Sequence, residues 1–219
     1  MASGPKFEQP RFIAVEGPLG VGKAALARRL ADELRARLLP DVGENPFLTD
    51  FYKRKRGAGF QAQLYFLIER FGKMRELDLA SDGRVSVVSD FLFEKDRIYA
   101  NQNLSDAELR LYEAYFEFFA EQVPTADLVI YLQAKVRDLE ERVAGKKDSF
   151  RISGQYLEEI VAAYEHFFFH YKGSNLLVID TSEIDFIDRN EDLQKLLRRL
   201  RQPVRGTQYF LPLGSASAD

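Results

Sequence analysis

The chain has 219 residues, 46% hydrophobic and 30% charged, with a net charge of −3: enough for one α/β domain with a real core, and too acidic to favour nucleic acid as its main partner. It has no cysteine and two histidines, which excludes disulfides and thiolate metal sites and leaves no expectation of zinc. No apolar run reaches membrane length and the polar start MASGPKFEQP does not read as a signal peptide, so the expectation is a soluble, cytoplasmic protein without a membrane partner.

The first element is RFIAVE, Arg11 to Glu16, a buried strand bounded by Pro10 and a glycine loop. Gly17, Pro18, Leu19, Gly20, Val21, Gly22 and Lys23 follow, the Gly-x-x-x-x-Gly-Lys pattern. Ala25, Leu26, Leu30, Leu34 and Leu38 then recur at helical spacing. The loop thus lies between a strand and a helix, the context in which this pattern cradles phosphates with its backbone N–H groups. The bland alternative is a glycine turn with Lys23 in solvent. Where the pattern wants Ser or Thr for a magnesium-bound hydroxyl, this chain has Ala24.

A short strand or loop is expected near Leu38 to Val42, then a long helix over GFQAQLYFLIERFGKMRELDL with Phe60, Leu64, Leu67, Ile68 and Phe71 on one face. RVSVVSD reads as a strand ending in Asp90, and SDAELRLYEAYFEFFAEQ as a helix opened by a Ser105–Glu108 capping box. ADLVIYLQA is another strand, followed by helices at about Val136 to Val143 and Tyr156 to Tyr171, the strand NLLVID, and a helix near Glu191 to Arg201. Alternating strands and helices predict a single domain over 1–219 with a parallel sheet of about five strands flanked by helices on both faces. Residues 1–10 and 206–219 read as loosely held tails.

Ligands of such sheets gather beyond the carboxyl ends of the strands, so Asp90 is expected to face the same crevice as the glycine loop. There it can hold magnesium or take a proton; equally, it can cap the next helix. Gln63 and Arg70 are seven apart, hence on one helical face. They can line one pocket or simply be solvated. His166 and His170, in HFFFHY, read as structural or exposed.

Together FIAVEGPLGVGK, ENPFLTDFY, GFQAQLYFLIER, VVSDFLFEKDRIYA and LVIYLQA…LEERV resemble the deoxyribonucleoside kinases, most of all the bacterial deoxyadenosine and deoxyguanosine kinases. The likeness runs from about Phe12 to the end of the last helix, with the motifs in the family's order. It implies a P-loop kinase fold with a short lid, transferring the γ-phosphoryl of ATP to the 5′-hydroxyl of a purine deoxynucleoside with magnesium, in nucleotide salvage. By that resemblance Lys23 serves catalysis, the loop from Gly17 to Ala24 binds ATP phosphates, and Asp185 and Phe186 hold the adenine of ATP. Tyr52 contacts the sugar 3′-hydroxyl, Gln63 pairs with the base edge, and Arg70 and Asp96 line the base pocket. Asp90 helps bind magnesium, and Arg142 is the first arginine of the lid. A homodimer, or a heterodimer with a paralogue, is implied through helices such as LYEAYFEFF.

The chain departs from this pattern around the reaction centre. Ala24 lacks the hydroxyl. The family's general-base position falls on Pro40, leaving Asp41 beside it as the candidate base and Glu44 nearby as a candidate substrate contact. In the lid, Lys146 and Lys147 replace arginines and Ser149 stands where the family has Glu, with Asp148 beside it. These departures motivate an alternative, a catalytically weak or inactive nucleotide-binding paralogue acting as a partner subunit. A nucleoside monophosphate kinase is a third reading, opposed by FQAQ and ENPF.

Overall fold

The computed structural model describes residues 10–79, 84–144, 153–182, 184–186 and 189–211. Six strands form one parallel sheet: β1 (Phe12–Glu16), β2 (Arg37–Leu39), β3 (Val87–Ser89), β4 (Leu128–Gln133), β5 (Asn175–Asp180) and β6 (Thr207–Phe210), in the order β2-β3-β1-β4-β5-β6. Successive residues of a strand face opposite sides of a sheet. Ile13 and Val15 of β1, with Leu128, Ile130 and Leu132 of β4, therefore enter one core, where they meet Leu26 and Leu30 of α1 (Lys23–Leu34) and Leu193 and Leu196 of α8 (Asn190–Leu200). Phe12, Ala14, Val129 and Tyr131 enter the other. There they pack beneath α3 (Ala58–Arg75), α4 (Lys95–Asn103), α5 (Asp106–Ala120) and α7 (Gly154–Phe169). A short α2 (Leu48–Tyr52) precedes α3, and α6 (Val136–Ala144) follows β4.

The sixth strand corrects the expectation of five and of a loose tail from residue 206. Gly206, at φ 62°, turns the chain, its N–H bonds to the Asn175 side chain, and Thr207–Phe210 ladders onto β5. Phe210 packs against the α1/α8 core. A four-residue edge strand with alternating half-buried positions carries too little pattern to separate it from a tail. Residues 1–9 and 212–219 lie outside the described residues.

The face expected of α3 is also corrected. Its buried positions are Ala58, Ala62, Gln63, Leu67, Arg70 and Met74, whereas Ile68 is 49% exposed. Two of the buried side chains are polar, which an apolar-periodicity argument cannot find and which marks a site rather than a plain core.

Candidate active site

The glycine loop leaves β1 at the point where the chain's successive strands diverge to either side, next to β3 and β4, the place where an open parallel sheet forms a crevice. Fully buried Glu16 anchors it: Oε1 accepts the Gly17 N–H at 2.8 Å and the Tyr164 hydroxyl at 3.1 Å, and Oε2 accepts the Leu92 N–H at 2.8 Å. Gly20 (φ 85°) and Gly22 (φ 100°) occupy left-handed backbone. A Cβ on Gly20 would lie 2.9 Å from Val143, so the loop also needs glycine to pass α6. Lys23 opens α1 and folds over the loop, its Nζ donating to the carbonyls of Gly17 (2.6 Å) and Pro18 (3.2 Å), 3.8 Å from Glu16 Oε1. Burial brings the Lys23 pKa down to about 8, against the pull of Glu16.

Two cavities meet at this loop. One, of about 680 Å³, is lined by Lys23, Ala24, Asp41, Tyr52, Gln63, Arg70, Lys95 and Asp96 among others. The second, of about 390 Å³, is lined by Leu132, Thr181, Ile184, Asp185, Phe186 and Arg189 together with Val21 and Leu26. Gly20, Gly22 and Arg142 belong to both walls. Arg142, at the end of α6, reaches Thr181 with Nη1 and Nη2, each contact at 3.5 Å. Behind the second cavity's Asp185–Phe186 wall, Arg29 donates to the Phe186 carbonyl at 2.6 Å and the Asp185 N–H reaches Asp192 at 3.2 Å, holding that loop against α1 and α8.

The deep wall of the larger cavity is ionic. Arg70 grips Asp41 with two parallel bonds, Nε to Oδ1 at 2.7 Å and Nη2 to Oδ2 at 3.0 Å, while its Nη1 pairs with Asp96 Oδ1. Lys95 pairs with Asp41 Oδ2 and lies 4.0 Å from Glu16 Oε2. Burial alone would raise the Asp41 pKa; Lys95 and Arg70 outweigh it and hold the carboxyl well below the usual range. Asp96, fully buried, is pushed up to about 6 by burial despite Arg70. Gln63 Oε1 and Asp96 Oδ2 are both buried and, among the described residues, accept no hydrogen bond, so this wall presents two acceptors that want donors.

Asp90 follows β3. Its Oδ1 accepts the Asp41 N–H, which ties the two strand ends together, and burial raises its pKa. One further carboxylate oxygen and the hydroxyl-free Ala24 make a sparse donor set, the kind magnesium tolerates because it keeps several waters. Ser89 does not supply the missing hydroxyl, being fully buried and donating to the Phe91 carbonyl.

The other expected residues divide. Tyr52, in α2, lines the larger cavity, and burial raises its pKa. Glu44, expected as a substrate contact, is exposed and is not among the residues lining these two cavities. Asn45 is buried, donating to the Ala62 carbonyl and accepting the Phe47 N–H, and so seats α2 on α3. His166 and His170 are exposed. Lys146, Lys147, Asp148 and Ser149 lie outside the described residues. Sequence reasoning missed Lys95, Thr181 and Glu16; the one signal for Lys95 is its place directly before Asp96, at the start of a helix, where a cation is out of place.

A model of the deoxynucleoside kinase family matches residues 13–205. The deoxyguanosine kinase of Bacillus subtilis is 26% identical over 204 residues, covering 88% of this chain and 97% of its own. The deoxyadenosine/deoxycytidine kinase of the same organism is 26% identical over 207 residues, covering 90% and 94%. Among solved structures, the deoxyadenosine kinase of M. mycoides with bound dATP superposes with a TM-score of 0.72 at 21% identity, over 87% of this chain and 100% of that one. The superposition bears on the fold.

Proposed function

The chain belongs to the deoxynucleoside kinase family, and on that premise we propose that it transfers the γ-phosphoryl group of ATP to the 5′-hydroxyl of a purine deoxynucleoside, with magnesium, in nucleotide salvage. One observation carries the reading: two cavities of substrate size share the glycine loop and Arg142 as a common wall. In-line transfer needs donor and acceptor on opposite sides of one phosphate cradle, and this arrangement supplies that.

In this reading the smaller cavity takes the adenosine of ATP between Thr181 and the Asp185–Phe186 loop, and the larger takes the deoxynucleoside. Base choice follows from the orphaned acceptors. Adenine and guanine each bring N–H donors for Gln63 Oε1 and Asp96 Oδ2, as the cytosine amino group also does, whereas thymine has a single N–H and leaves one buried oxygen unpaired. Tyr52 faces the sugar. Lys23 leaves the loop carbonyls for the β- and γ-phosphates, and Arg142 gathers charge on the moving phosphoryl group. Asp90 would hold magnesium, with water on the Ala24 side; when bound, the ion neutralises charge on the phosphates. Asp41 accepts the 5′-hydroxyl proton, but its ion pairs make it a weak base. Positioning and charge stabilisation therefore carry most of the acceleration, as a loose phosphoryl transition state allows.

The relatives named above are kinases, which supports turnover over a binding-only role. The exposed stripe Leu111, Tyr115 and Phe118 on α5 offers an apolar face for a dimer, read by light scattering. The function is tested by transfer of labelled γ-phosphate across the four deoxynucleosides and the purine monophosphates. Label on deoxyadenosine or deoxyguanosine supports the reading; label on none, or on monophosphates alone, rejects it.

A further inference from the structure

Lys95 stands where simple electrostatics disfavours it. It is the first residue of α4, at the positive end of the helix, and it is 5% exposed. What holds it there is a pair of carboxylates from two other elements: Glu16, at the end of β1 under the glycine loop, and Asp41, just beyond β2. Asp41 is in turn held by Arg70, and Arg70 by Asp96. With Lys23 near Glu16, the side chains form an unbroken line of alternating sign, Lys23–Glu16–Lys95–Asp41–Arg70–Asp96. It runs from the phosphate cradle to the base-reading wall, and Lys95 is its central link.

We propose that Lys95 is a positioning residue for phosphoryl transfer: it sets Asp41 against the end of the sheet that carries the glycine loop and, through Asp41, fixes the plane of Arg70 at the base wall. This rests on the kinase reading above. The physical basis is that Asp41 follows a short edge strand in a loop: its main chain is tied down by the Asp90 carboxylate and by Lys73, but beyond the neighbouring Val42 N–H its carboxylate takes its direction from two cations. Arg70 fixes it from the α3 side and Lys95 from the α4 side. Without Lys95 the carboxylate swings with Arg70, and the hydroxyl of a bound deoxynucleoside loses its acceptor while the phosphate cradle stays whole.

The test is a double-mutant cycle on the full chain, with Asp41→Asn, Lys95→Met and the pair, reading kcat and both KM values. Lys95→Met is expected to lower kcat roughly 10–100-fold, the scale of a misplaced reacting group, with the KM for ATP unchanged. In the Asp41→Asn background the same change is expected to cost little further, because its effect passes through Asp41. A merely structural lysine gives losses that multiply, or a kcat that falls only as the folded fraction by circular dichroism falls; either overturns the proposal. Should Lys95→Met not fold, Lys95→Gln, which keeps hydrogen-bond donors without the charge, completes the same cycle. An unsubstituted protein without turnover sinks the kinase reading and this role together, whereas an active protein with a multiplicative cycle sinks this role alone.

Discussion

Replacing Arg70 by Met removes the guanidinium while keeping much of its apolar stem, and the structure sets what that costs. Arg70 is 4% exposed, pairs with Asp41 and Asp96, and lies over the Phe66 ring at 4.9 Å. Breaking a buried pair costs about 3–5 kcal/mol because a charge is left without its partner. Asp41 keeps Lys95, so only Asp96 is stranded, and the expected loss is near the lower end, about 3 kcal/mol. In a protein of this size that is a fall of roughly 6–12 °C in Tm. The loss is also pH-dependent. Asp96 sits near a pKa of 6 with Arg70 present and rises further without it. The variant then holds a proton that the parent does not, and the gap between them narrows as pH is lowered towards 6. Urea unfolding of both proteins from pH 8 to 5.5 measures this. A loss below about 1 kcal/mol at pH 8, the scale of an exposed pair, or a gap that widens on acidification, refutes the reasoning.

Ala24→Ser restores a hydroxyl beside the cradle; one contact to a charged partner, about 1.5–3 kcal/mol, is expected to lower the magnesium half-saturation at least tenfold in initial rates, and an unchanged value sinks the idea that water fills that position at a cost. Gln63→Ala removes a buried amide from the base wall and is expected to cut kcat/KM for the purine deoxynucleoside about 10–100-fold with the KM for ATP unmoved; an equal change in both would place Gln63 outside the base site. Asp96 must be ionised to accept from a base, so deoxyadenosine affinity by calorimetry is expected to rise about tenfold between pH 5 and 7, the change in ionised fraction for a group near 6. The same raised value makes Asp96 withdraw stability from the free protein as pH climbs from 3.8 to about 6, where the folded chain keeps a proton the unfolded chain releases. Affinity that falls over that range contradicts Asp96 as an acceptor.

The fold was legible where a single physical pattern governs a segment. β1, β4 and β5 are continuous apolar runs, and α5 carries a capping box that the structure contains at Ser105 and Glu108. It was illegible where elements are short: α2, α4 and β6 have too few residues for periodicity, and α3 hides polar side chains on its buried face. The site shows the same division. The glycine loop, Gln63, Arg70 and Asp96 come together around the larger cavity, as motif order implies. Asp41, the neighbour of the family's general-base position, turns inward because β2 ends at Leu39 and strand alternation no longer applies beyond it. Lys95 gave only a weak signal, a cation at the start of a helix, because its meaning depends on Glu16 and Asp41, which are 79 and 54 residues away in sequence and meet it only in the folded sheet.

The central claim is transfer between two cavities across one cradle, and product stoichiometry tests it most directly. With deoxyadenosine, ATP and magnesium, the account predicts that ADP and deoxyadenosine 5′-monophosphate appear in equal amounts, and that Arg142→Ala, which touches both cavities, slows both equally. ADP released without the nucleotide product, or no product from any purine deoxynucleoside, would contradict it.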